Sequence, residues 1–267
     1  MQDSVFNTCS QLTSVTLPET LVSIGSAVFQ RCSSLPALDI PASVISIGVS
    51  AFESCSKLTA IVVPEGVTIL NSKVFNGCTS LTSVSLPDSL TIIGASAFTD
   101  CTALASITIP ELVYSIGLNA FQRSGLTSVV VPESVTWIGG QAFYECGNLV
   151  SVTLSSNLSA INEHTFFKCK SLTSITIPEK VTSILTFAFG GCNSLTSVTI
   201  PANVTSLAAN AFANSANIST IIFEGDTAPT TVTNSFAYVA KQGTLYAPAG
   251  STGYAELKAQ GLTIKDW

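Results

Sequence analysis

The chain has 267 residues, 46% of them hydrophobic and only 10% charged, a balance that excludes disorder and leaves ample apolar material for a long core. Sixteen acidic against ten basic residues give a formal net charge of −6 and a pI near 4.7, which counts against nucleic acid or anionic lipid as a partner. No run approaches the roughly 18 apolar residues of a membrane span, and Met1-Gln2-Asp3-Ser4 lacks a charged and apolar leader.

The first recognisable element is already a fragment: Phe6 and Cys9 fit a coil whose earlier half is missing, so the natural protein is expected to continue upstream. Phenylalanine then returns every 23 residues at 29, 52, 75, 98 and 121, takes one 22-residue step to 143, and resumes at 166, 189 and 212. The short step arises because Arg123-Ser124-Gly125-Leu126 has one residue fewer than Asp100-Cys101-Thr102-Ala103-Leu104. Leucine keeps the same frame from Leu12 to Leu195, and proline from Pro18 to Pro201, with Ser155 in the one vacancy. Fixed spacing of this kind specifies a stack of like units.

Within one unit, Ile107 and Ile109 alternate with Ser106 and Thr108, the two-residue period of a half-buried strand. Pro110 ends that strand and turns the chain through Glu111. A second extended piece runs from Val113 to Ile116 and stops at Gly117. Ala97-Phe98, followed by Cys101 and Leu104, shifts the apolar spacing to three and four, which predicts one helical turn. About ten such coils are expected from Phe6 to Phe223, so 1–223 reads as the array and 224–267 as a closing segment, with a strand near Thr244 to Tyr246 and a short helix over Gly253 to Ala259.

The pattern Leu-x-x-Ile-x-Ile-Pro-x-x-Val-x-x-Ile-Gly-x-x-Ala-Phe-x-x-Cys, as in Leu81 to Cys101, resembles the BspA-like, or Treponema pallidum-type, leucine-rich repeats. The resemblance covers roughly residues 5 to 223. It implies a right-handed leucine-rich-repeat solenoid of short parallel β-strands with short helical or 3-10 turns. It also implies an extracellular or cell-surface protein that adheres to a host or microbial protein or glycoprotein, with host extracellular matrix as the family-based partner. The departures are Ser155 for proline, Asn71, Asn162, Leu185 and Ala208 for glycine, and Ser124 and Ser215 for cysteine.

Side chains that could carry chemistry are few. The eight cysteines share one column three residues after the phenylalanine, without the close or irregular spacings of disulfide frameworks or zinc sites. They read as reduced, buried thiols. His164 is the single histidine, and a Cys–His pair would need it beside Cys146 or Cys169. No nucleophile elbow or phosphate loop occurs, so no catalytic residue, metal ligand or cofactor is assigned. The carboxylates after the prolines, Glu19, Glu65, Asp88, Glu111, Glu133 and Glu179, form a solvated turn face or, more remotely, a cation-collecting column of an enzyme. Lys168, Lys170 and Lys180 form a small basic cluster, and sequons stand at Asn157, Asn203 and Asn217.

For binding, two groups stand out. The outward strand positions carry mainly Ser and Thr, from Ser14 and Thr16 to Ser197 and Thr199, which fit cross-strand hydroxyl ladders or an uncharged docking platform. Val130 and its column neighbours Thr153 and Thr176, with the departures Asp39, Val62 and Ile222, are where specificity would reside. Tyr114, Trp137, Tyr144 and Phe167 replace small or polar residues and either anchor a partner or add packing between coils. A passive spacer within a larger surface protein is the alternative to a binding module, and the sequence leaves oligomeric state open.

Overall fold

The strands are short, because a proline removes an amide donor after the first extended piece of a coil and a close backbone approach ends the second; residues 106–109 and 174–177 make no first strand at all. The computed structural model describes residues 1–231, 234–239, 243–254 and 263–266. Its pairings are all parallel and join equivalent positions of successive coils, as in Ala60↔Ser83 and Ser128↔Ser151, 23 residues apart, and Ser115↔Trp137 across the short coil. Stacking these strands builds two walls. The first includes Ala60–Val62, Ser83–Ser85, Ser128–Val130, Ser151–Thr153, Ser197–Ile200, Thr220–Phe223 and Thr244–Ala247. The second runs from Ser23–Ile24 through Ser115–Ile116 and Trp137–Ile138 to Thr230–Thr231.

The third side of each coil contains the phenylalanine and corrects the sequence reading, since no helix forms among the described residues. A residue with positive φ stands two positions before each phenylalanine and another two after, as Ala27 and Arg31 around Phe29 or His164 and Lys168 around Phe166. Most are not glycine, although Gly77 and Gly191 occupy two of these sites. Left-handed residues cannot continue a right-handed helix. The apolar spacing of three instead reflects consecutive turns, in which Cys32 N donates to Phe29 O and Leu35 N to Cys32 O.

Positive φ frees the turn-wall amides for the neighbouring coil. Ala27, Phe29 and Arg31 donate to the carbonyls of Val49, Ala51 and Glu53, and Ser50, Phe52 and Ser54 donate to Ser72, Val74 and Asn76. Each such bond runs from an amide to the carbonyl of the following coil. The modest cost of each left-handed residue is offset by pairing a backbone that would otherwise be buried unsatisfied.

Inside these walls the apolar columns are continuous. Eleven phenylalanine rings, Phe6 to Phe212 and then Phe236, stack with centroids 5.1–5.6 Å apart and planes tilted by 20° or less. Phe236 follows a 24-residue step, one residue longer than the repeat frame that predicts the other rings. At the far end, Tyr254 is buried edge-on against Phe223 and its hydroxyl donates to Gly225 O at 2.8 Å. The expected strand forms as Thr244–Ala247, while residues 255–259 of the expected helix lie outside the described residues.

The second wall breaks between Ile47 and Ile69 and again between Ile138 and Ala160. Both breaks coincide with asparagine in the glycine column. At Gly48, Gly94, Gly117 and Gly139 the backbone amide donates to the previous coil, and a Cβ there would lie 2.4–2.6 Å from backbone atoms of that coil. Asn71 and Asn162 carry that Cβ, and their side-chain amides donate instead to Ile47 O and Ile138 O at 2.7 and 2.6 Å. The carbonyl keeps a partner although the sheet is interrupted. Leu185 and Ala208 retain the backbone bond, to Ile161 O and Ile184 O.

The short coil closes without disturbing the stack, because Phe121 and Phe143 remain 5.4 Å apart. Gly125 makes this possible: a Cβ on it would sit 2.2 Å from Thr102 O. Gly125→Ala is therefore expected to destabilise the protein by about 1–3 kcal/mol, the usual cost of overpacking. Urea denaturation checks this, and an unchanged midpoint would contradict the close approach.

Candidate binding surfaces

The cysteine column faces the core. Seven of the eight cysteines are buried, none is in a disulfide, and only Cys9 is exposed. Each buried thiol donates to the carbonyl of the preceding coil's phenylalanine, from Cys32 Sγ to Phe6 O at 3.1 Å through Cys192 Sγ to Phe166 O at 3.2 Å. Of the two serines in the column, Ser215 Oγ makes the same bond to Phe189 O at 2.7 Å, whereas Ser124 Oγ lies 3.4 Å from Cys146 Sγ. The thiols are thus donors as well as small apolar groups, a role Ser215 hinted at in the sequence. Burial pushes Cys32 and Cys146 up to about 11 and Cys55, Cys101 and Cys192 up to about 12. A thiol so held is a poor nucleophile. An aromatic disulfide reagent is expected to titrate one thiol in the native protein and the other seven only after unfolding; rapid reaction of several would refute the buried ladder.

His164 engages no thiol. Its ring stacks on Phe187 at 5.2 Å and meets the edge of Phe167 at 5.4 Å, while Cys146 and Cys169 donate to Phe121 O and Phe143 O. Among the described residues, no three histidine, cysteine or acidic side chains converge as a metal site.

The structure divides the four aromatic candidates into two places. Tyr144 and Phe167 lie half-buried on the turn wall, stacked at 5.3 Å, and Gly190 provides the space beneath Phe167 and Phe187. Lys168 lies over Phe167 and pairs with Glu145 at 2.9 Å, and Arg123 pairs with Asp100 in the same column. Lys180 instead reaches Asn157 Oδ1, so Lys168, Lys170 and Lys180 do not act as one cluster. Tyr114 and Trp137 stand on the second wall, 49% and 44% exposed.

Val130, Thr153 and Thr176 are exposed on the first wall, with Val130 paired beside Thr153. Val62 and Val130 are each 65% exposed. The hydroxyl ladders expected on this wall form elsewhere: Thr59, Thr82 and Thr173 at its edge, and Thr91, Thr182 and Thr205 on the second wall, donate to carbonyls of the previous coil. Ser83, Ser85, Ser106, Thr108, Ser151, Thr153, Ser174 and Thr176 are exposed, which leaves their hydroxyls open to a partner.

The acidic row lies on the exposed turns after the prolines. Glu133 is held by Ser156, whose hydroxyl and amide donate to it at 2.6 and 2.9 Å and keep its carboxyl below the usual range. Both ion pairs among the described residues lie on the turn wall, so Glu19, Glu65, Asp88 and Glu111 have no cation beside them.

A family model described as a BspA-type leucine-rich repeat region matches residues 1–126 and 114–241, in six copies. Among solved structures, a leucine-rich repeat protein from Bacteroides ovatus is similar over 99% of this chain and 80% of its own, with TM-score 0.61 and 24% identity. The T. pallidum leucine-rich repeat protein is 31% identical over 60% of this chain and 78% of its own, with TM-score 0.56. The pneumococcal vaccine antigen PcpA reaches TM-score 0.59 at 19% identity, covering 92% of this chain and 71% of its own. No curated protein matches the chain.

Proposed function

Since this chain belongs to the BspA-type leucine-rich-repeat family, we propose that it is a cell-surface or secreted binding module whose strand walls engage a host or microbial protein or glycoprotein. The observation that carries this reading is the set of large apolar side chains held outward on the strand walls, Val62 and Val130 on the first and Tyr114 and Trp137 on the second. The core is continuous without them. Exposed apolar groups set among serine and threonine hydroxyls, with Asp39 the charged exception beside Val62, are the composition of a desolvating contact. An enzymatic role receives no comparable support, because the buried thiols are spent on carbonyls and the single histidine on aromatic rings.

Immobilised whole chain, titrated with host extracellular matrix proteins and bacterial surface glycoproteins, is expected to give saturable binding that weakens in Val62→Ser/Val130→Ser or Tyr114→Ser/Trp137→Ser. A passive spacer predicts no saturable binding to any of them, and that result would sink the proposal.

A further inference from the structure

The apolar side chains on the second wall form a stripe rather than a scatter. Val22 and Ile45, 55% and 57% exposed, occupy the same column of adjacent coils, beside the pair Ser23↔Ser46. In the next column Ile69 pairs with Ile92. The stripe then passes to Tyr114 and on to Trp137, which pairs with Ser115. The remaining positions of these two columns up to Trp137 are Ser23, Ser46, Thr68, Thr91, Ser115 and Thr136, so no charge interrupts the stripe. Past Trp137 the columns continue as Ser159, Ala160, Thr182, Ser183, Thr205 and Ser206, without a large apolar group. The patch therefore has a definite end. The five spacings of about 4.8 Å between its six coils make it roughly 25 Å long.

Its border supplies the chemistry of the occupant. Glu65, Asp88 and Glu111 are exposed on three consecutive coils, three to four residues upstream of Ile69, Ile92 and Tyr114, with no cation beside them. Carboxylates stacked at coil spacing repel one another, and a cationic partner relieves that repulsion. A second copy would bring its own acidic row and a net charge of −6, so self-association through this wall is opposed.

We propose that the second wall from Val22 to Trp137 is a docking surface for a protein segment that presents lysine or arginine toward Glu65, Asp88 and Glu111 and apolar side chains toward the stripe. Tyr114 and Trp137 also give such cations an aromatic face to rest on. This rests on the binding-module reading and narrows it to one wall and one class of partner.

The test uses the whole chain carrying Trp267→Phe, which leaves Trp137 as the single indole. The probes are a synthetic peptide alternating lysine with leucine and its counterpart with glutamate in place of lysine. The lysine peptide is expected to shift Trp137 emission to the blue in a saturable, salt-sensitive manner, and the glutamate peptide to leave it unchanged. Glu65→Gln/Asp88→Asn/Glu111→Gln is expected to raise Kd at least about tenfold, with unaltered circular dichroism as the check on folding. Equal titration by both peptides, no titration by either, or a triple variant that binds as tightly as the parent overturns the proposal. If matrix or glycoprotein ligands still bind the chain and ignore the triple variant and Tyr114→Ser/Trp137→Ser, the binding-module reading survives and this assignment fails.

Discussion

Raising the pH above 9 is expected to unfold the solenoid cooperatively, with a midpoint near about pH 10 and full stability below about pH 8. The cause is the thiol ladder. In the unfolded chain each cysteine ionises near its ordinary value of about 8.5, whereas in the fold burial raises it to about 11 at Cys32 and Cys146, to about 12 at Cys55, Cys101 and Cys192, and well above its ordinary value at Cys78 and Cys169. Between those limits the unfolded state binds fewer protons, so stability falls as pH rises. Each thiol contributes a slope of about 1.4 kcal/mol per pH unit, and seven are buried. Their sum over one unit rivals the whole stability of an ordinary domain. Replacing Cys78, Cys101 and Cys169 by serine, which keeps the donor as Ser215 does, is expected to move the midpoint upward. Circular dichroism against pH checks this; a triple variant with the parental midpoint would show that the thiols do not set it.

Phe98→Ala is expected to cost about 4 kcal/mol, the middle of the range for removing a buried phenylalanine, and to lower Tm by roughly 8–16 °C. Phe98 is fully buried and stacked on both sides, at 5.5 Å from Phe75 and 5.3 Å from Phe121. Collapse of neighbouring coils into the void is opposed by the amide ladder, since Phe98 N is tied to Ala120 O and Phe75 N to Ala97 O. Phe6→Ala, which removes a half-buried ring stacked here only on Phe29, is expected to cost less than half as much. Equal losses at the two positions in guanidinium unfolding would mean that the ring column does not act as a stack.

The repeat frame was legible in the sequence because phenylalanine, leucine, proline and cysteine fall in columns that only stacking satisfies. The backbone of the turn wall was not. Apolar spacing of three and four suits a helical turn and also a series of turns flanked by left-handed residues, and Ala27, Arg31 and Lys73 carry no side-chain signature of positive φ. The asparagines at 71 and 162 were visible as departures, but their replacement of a backbone donor by a side-chain donor appears only with the neighbouring coil in place. The sequence marks the aromatic candidates but not their walls, since Tyr114 and Trp137 differ from Tyr144 and Phe167 by position within the coil. That difference sets one pair outward on a strand wall and stacks the other between coils on the turn wall. Phe236 is not legible from the frame, because its step is 24 residues and the repeat specifies 23.

The coil-to-coil amides of the turn wall share a direction along the stack. In a parallel strand, successive peptide groups point opposite ways and their dipoles cancel, but on the turn wall an intervening amide such as that of Gln30 donates within its own coil, while alternate amides, as at Ala27, Phe29 and Arg31, direct N–H toward the next coil. Their dipoles add along the stack, as they do in an α-helix, with the opposite sense relative to chain direction: partial negative charge gathers at the amino-terminal end and partial positive charge at the carboxy-terminal end. The turn wall is thus polarised along the stack, opposed in part by strand-wall amides such as those of Gly48, Gly94 and Gly117, which donate to the previous coil.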